Sequence, residues 1–199
     1  MNNHLLNIFK LGLEGGQKIF EELINENPWM KNDICRPSWG HIRRCAMNLS
    51  IEELSKDNSF LLKKELIKVN SAYQYPLYYY DDFKVTINNT RALNKLPRTA
   101  NHRRELSKIN SHVYSQQYDL FTPEITNSNY YYGLVVFGGK NFKLDFMGFQ
   151  IPDENYQQIK KIYNLNSIIS KPLIDKKINQ EEIKIKLKNN VEERIKKIE

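Results

Sequence analysis

The sequence predicts an α+β fold with a helical N-terminal part, a small antiparallel sheet with a hairpin near 130–150, and a C-terminal amphipathic helix. Three observations carry that prediction. In the first quarter, Leu5, Phe9 and Leu13 recur at helical spacing. From Phe83 the apolar period drops to two, with Phe83, Val85 and Ile87 alternating with Lys84 and Thr86. The aromatic and β-branched run Tyr130 to Phe137 is followed by Gly138, Gly139, Lys140 and Asn141, and then by a second alternation of Phe142, Leu144 and Phe146 with Lys143 and Asp145. Helices, strands and helices are segregated along the chain, which argues against parallel βαβ alternation.

Taken in order, Gly15 and Gly16 interrupt the first helical pattern, and a second helix carries Ile19, Phe20, Leu23 and Ile24 as far as Asn27 and Pro28. Residues Trp29 to Gly40 read as an irregular packed loop, and a third helix contains His41 to Met47. Ser50 and Glu53 have capping-box spacing and predict a new helix from Ile51. Phe60, Leu61, Leu62, Leu66, Ile67 and Val69 form a further amphipathic segment ending near Asn70. A basic helix is expected from about Ala100 with Thr99 as N-cap, and Pro152, Asp153 and Glu154 predict a helix through Ile159 and Ile162. In the tail, Ile183, Leu187, Val191, Ile195 and Ile198 mark an amphipathic helix from about Asn179. These elements make one α+β domain over 1–170, helical in 1–72 and sheet-containing in 73–170, with a helical extension over 171–199.

Charge is the sharpest functional signal. The formal net charge is +7, and between Arg91 and His112 the six cations Arg91, Lys95, Arg98, Arg103, Arg104 and Lys108 face the single acid Glu105. Seven of the eight arginines lie between Arg36 and Arg104. Guanidinium is planar and bidentate, the geometry that suits phosphate. On a helix, Arg104, Lys108 and His112 share one face opposite Leu106, Ile109 and Val113, as a phosphate-contacting helix requires. The expected function is therefore non-catalytic nucleic-acid binding by Arg91, Arg98, Arg103, Arg104 and Lys108, with Tyr78 and Tyr80 as nearby aromatic support. Consecutive tyrosines on a strand alternate in direction, so part of the Tyr78 to Tyr80 and Tyr130 to Tyr132 triplets belongs to the core.

One alternative is a protein-interaction or inhibitor module whose basic helix meets an acidic protein surface. The other is a small nuclease or RNA-cleaving toxin, with His102 or His112 as general base and Arg103 stabilising the phosphorane. Lys143 and Asp145 share a predicted strand face, but in the reverse of the order a restriction-type nuclease uses. The Arg36 to His41 spacing resembles the Arg-x4-His element of helical HEPN ribonucleases, yet Pro37 and Gly40 inside it argue against a helix. Cys35, His41 and Cys45 match no common zinc spacing, and no cofactor is expected. No phosphate loop or nucleophile elbow occurs. Two cysteines make no disulfide framework, and no apolar run reaches the length of a membrane span, which together suggest a cytoplasmic protein. The C-terminal helix offers a stripe for packing in cis or for oligomerisation.

Overall fold

A computed structural model of the protein describes residues 3–56, 62–70, 74–113, 130–140, 142–169 and 185. The chain divides into two compact units: a helical unit of Met1–Phe60, Gly139–Asp145 and Ser167–Glu199, and a sheet unit of Leu61–Gly138 and Phe146–Asn166. Helices and a six-stranded sheet make the protein α+β.

The helical unit is built on two long helices, α1 (Asn3–Glu26) and α2 (Arg36–Ser55), joined by short 3-10 turns at Pro28–Lys31 and Asp33–Cys35. The predicted break at Gly15 and Gly16 does not occur. Gly12 and Gly16 instead let α2 approach α1: a Cβ on Gly16 would lie 2.5 Å from the Met47 Cα, and one on Gly12 would lie 2.2 Å from the Ile51 Cγ1. Close packing of the two helices offsets the roughly 1 kcal/mol that each helical glycine costs relative to alanine. Nor do Pro37 and Gly40 break α2, because a proline in the first turn forfeits no intrahelical hydrogen bond. Ser50 lies buried within the same helix and caps nothing, so the two helices expected on either side of it are one.

Ile19, Phe20, Leu23, Ile24, Met30 and Ala46 form a buried cluster, with Trp39, Ile42, Cys45, Leu49 and Phe142 packed against it. Phe142 comes from the loop Gly139–Asp145. Its backbone sits at φ 65°, and its ring lies 4.1 Å from Trp39 and 6.2 Å from Phe20. The predicted second hairpin strand over 142–146 is therefore a loop up to Asp145, with Phe142 packed on the helical cluster instead of paired in the sheet.

The sheet unit contains β1 (Lys63–Lys68), β2 (Gln74–Tyr80), β3 (Phe83–Asn89), β4 (Tyr131–Gly138), β5 (Phe146–Pro152) and β6 (Ile159–Asn164), adjacent in that order. Every neighbouring pair is antiparallel except β3 and β4, which run parallel with Phe83 opposite Tyr131 and Asn89 opposite Phe137. The expected antiparallel sheet is thus mixed, and the segment between β3 and β4 carries a helix, α3 (Asn101–Ser107), continued by a 3-10 turn over Lys108–Val113.

Two expected helices are strands. Lys63–Lys68 pairs with β2 instead of extending a helix to Asn70, and Ile159–Asn164 pairs with β5. Before β6, the Asp153 carboxylate accepts from the amides of Gln157 and Gln158 and Tyr156 sits at φ 56°, so Pro152, Asp153 and Glu154 open a turn and not a helix. The predicted C-terminal helix lies, apart from Ile185, outside the described residues, and so does the oligomer contact expected of it.

Register assigns the side chains to two faces. Tyr78, Val85, Ile87, Val135, Phe137 and Phe149 share one and are all buried. Tyr79, Lys84, Thr86, Asn88, Tyr132, Leu134, Val136 and Gln150 share the other.

Candidate nucleic-acid interface

The basic segment covers that second face. Leu93, Leu96 and Leu106 pack on Tyr132, Leu134, Val136 and Tyr156; of the expected stripe Leu106, Ile109 and Val113, Leu106 alone belongs to this cluster, because the α-helix ends at Ser107 and a 3-10 turn follows. Polar contacts then fix the backbone. Gln150 Nε2 donates to the carbonyls of Leu93 (2.6 Å) and Lys95 (3.1 Å), and the Tyr156 hydroxyl donates to the Pro97 carbonyl at 3.2 Å. Ser107 Oγ donates to the Glu154 carbonyl at 3.1 Å. Asn110, fully buried, accepts from the Tyr132 amide at 2.8 Å and donates to the carbonyls of Tyr132 and Pro152. Burial pushes the Tyr156 phenol up to about 12, while the charge of Arg103 opposes that shift.

The six cations fall into three groups. Arg103 is committed to the fold: its Nε donates to Asn88 Oδ1 at 2.9 Å and its Nη1 to the Arg98 carbonyl at 2.5 Å. Asn88 donates in turn to Thr86 Oγ1 (2.9 Å), which lies 2.8 Å from the Tyr132 hydroxyl, so a hydrogen-bonded ladder runs from Arg103 across the sheet face. Lys108 is neutralised locally, donating to both carboxylate oxygens of Glu105 at 2.9 and 2.8 Å. Arg91, Lys95, Arg98 and Arg104 are exposed, and their side chains make no hydrogen bond or ion pair among the described residues. Lys95, which helical spacing did not single out, belongs with them because it sits in the pinned loop before α3. The predicted cap is also corrected: Ala100 holds the N-cap position and no side chain caps α3.

The expected aromatic support, Tyr78 and Tyr80, lies on the buried face of the sheet. Tyr78 is fully buried and Tyr80 nearly so, so neither presents a ring for stacking. Tyr79 lies on the face with the cations, opposite Lys84, and its ring meets Tyr130 edge-on at a centroid distance of 6.3 Å. Parity held the signal for this. Asp81 and Asp82 form a two-residue turn with Asp81 at φ 45°, which sets Tyr80 opposite Phe83 and Tyr79 opposite Lys84. Since Phe83 and Val85 belong to the apolar face, Tyr78 and Tyr80 must as well.

Residues of the nuclease alternative occur in both units. His102 stacks on Tyr75 at 4.3 Å, and His112 lies in the 3-10 turn after α3. Lys143 and Asp145 occupy the loop of the helical unit, where the Asp145 carboxylate accepts from the Lys140 amide. In that unit Arg43 is buried, donating to Gln17 Oε1 at 2.7 Å and to the Lys143 carbonyl at 2.8 Å. Burial lowers its pKa, against the raising effect of Asp145 and Glu21. His41 Nδ1 lies 3.3 Å from the Arg44 guanidinium, and its Nε2 lies 3.6 Å from Cys45 Sγ. Guanidinium only donates, so Nδ1 accepts and the imidazole proton sits on Nε2, facing the sulfur. That arrangement gives His41 no free nitrogen with which to deprotonate Cys45. Among the described residues no cluster of His, Cys, Asp and Glu is placed to hold a metal ion, and no helix is long and apolar enough to cross a membrane.

The chain matches no protein-family model, no curated protein and no solved structure.

Proposed function

We propose that the protein binds nucleic acid without cleaving it, through phosphate contacts from Arg91, Lys95, Arg98 and Arg104. The observation that supports this reading is four exposed cations, none paired among the described residues, on a backbone held by hydrogen bonds to the sheet unit. A cation without a carboxylate partner keeps its full charge for a ligand, and a fixed backbone lowers the ordering cost of binding. Polyanion binding releases counterions, so affinity should fall steeply with salt. The acidic protein surface remains the second class of partner for the same four cations, and nothing in their arrangement favours it.

Fluorescence anisotropy with labelled oligonucleotides across a salt series tests the proposal. Reversing Arg98 and Arg104 together to Glu should weaken binding at least about tenfold and reduce the salt slope by about two, one for each lost phosphate contact. Unchanged affinity in the folded double variant would overturn the proposal, and product bands on a denaturing gel would move the assignment to a nuclease.

A further inference from the structure

We infer that unpaired bases stack on Tyr130 and Tyr79 beside Lys84, so that the ligand of the cationic surface is a single strand. This rests on the nucleic-acid reading above and names the form of the ligand. Tyr130 is 37% exposed and stands perpendicular to Tyr79, with an interplanar angle of 81°. Lys84 Nζ lies 4.8 Å from the centroid of Tyr130 and 5.7 Å from that of Tyr79, which places a cation beside two ring faces. The Tyr79 hydroxyl donates to Glu65 Oε2 at 2.7 Å, which fixes the rotation of that ring. Burial, followed by this hydrogen bond, raises the Tyr79 phenol to about 12. A large aromatic side chain held at the surface by a cation and a carboxylate is arranged for contact with a flat ligand.

Placement ties this corner to the cations. Lys84 and Asn88 share a face of β3 four residues apart, about 13 Å along the strand, and Arg103 fastens α3 to Asn88. The charges divide the two roles. Near the rings, Lys63 and Lys84 stand against Glu65, Asp81 and Asp82, so this corner attracts no polyanion by itself. Phosphates go to Arg98 and Arg104, and base faces go to the tyrosines. Bases in a duplex are already stacked on each other and expose no face to such a platform, whereas any unpaired base does.

The full-length protein is titrated with labelled oligo(dT) and with a blunt duplex of equal length at matched salt. The single strand should bind more tightly, and Tyr130→Ala should weaken its binding about tenfold without changing the salt slope. Should Tyr130→Ala lose its cooperative thermal melt, Tyr130→Leu retains bulk without a π face and should show the same loss of affinity. Equal affinity for duplex and single strand, or wild-type affinity in the folded Tyr130 variants, would overturn this inference and leave the phosphate-contacting surface standing. Binding of neither oligonucleotide at low salt would overturn both.

Discussion

Arg43 in the helical unit and Arg98 in the sheet unit are the same residue in opposite situations. Arg43 is buried, and its guanidinium holds Gln17 and the Lys143 carbonyl, drawing the Gly139–Asp145 loop onto the helices. Arg98 is exposed, its side chain has no partner among the described residues, and its backbone carbonyl is the group that is held. The density of arginine in a sequence therefore does not measure the charge available to a ligand. Availability depends on which guanidiniums the fold has already engaged, and burial with backbone partners marks the engaged ones.

Substitutions can break that distinction, and the largest effect is expected at Arg43. Arg43→Met removes the charged donor to Gln17 and the Lys143 carbonyl and leaves the buried Gln17 Oε1 without it, so it should cost about 2–4 kcal/mol. Nucleic-acid affinity of the folded fraction should not change; urea unfolding together with anisotropy checks both halves. A fall in affinity at constant stability would move Arg43 into the binding class. Arg103→Met should cost less, about 1–2 kcal/mol, because its site is only half-buried. Its salt slope should match the parent's, since Arg103 carries the loop and not a phosphate. Smallest of all is Lys108→Ala. The exposed Lys108 to Glu105 pair should be worth under about 0.5 kcal/mol, and affinity should stay within about twofold, in contrast to Arg104→Ala four residues earlier. A large loss of affinity at Lys108 would show that a locally paired cation still serves the ligand.

Much of this architecture is legible in the sequence, and the misreadings have physical causes. The alternation at Phe83 to Ile87 and the run at Tyr130 to Phe137 do become β3 and β4, because both lie at the centre of the sheet, where burial dictates residue type. Edge strands carry a weaker signal. In β1, Lys63, Lys64, Glu65, Leu66 and Lys68 are exposed, so pairing with β2 and not an apolar face holds it in place. In β6, Ile159 and Ile162 have helical spacing, and Ile162 is 40% exposed, so no buried stripe distinguishes strand from helix. The Gly12 and Gly16 contact is invisible without its partner helix, because a glycine that breaks a helix and one that packs it look alike in sequence.

The candidate site divides in the same way. Local charge identifies the segment, and Arg91, Arg98 and Arg104 remain in it. The withdrawal of Arg103 depends on Asn88, fifteen residues away, which no helical wheel brings near. Likewise, strand parity turns Tyr78 and Tyr80 to the buried face and Tyr79 to the other, a relation that a two-residue turn fixes and that residue counting reveals.

The parallel seam between β3 and β4 has a consequence for how the chain reaches this structure. On either side of it lies a three-stranded antiparallel meander, β1 to β3 and β4 to β6, in which each strand pairs with its neighbour in sequence. Such pairings close short loops, whereas the seam requires the chain from 90 to 130 to be spanned before its first hydrogen bond forms. The entropic barrier to folding is therefore concentrated at one junction, and the basic segment that crosses it is the same stretch that carries Arg91, Arg98 and Arg104. The surface proposed for the ligand is assembled only when the two halves of the sheet have found each other.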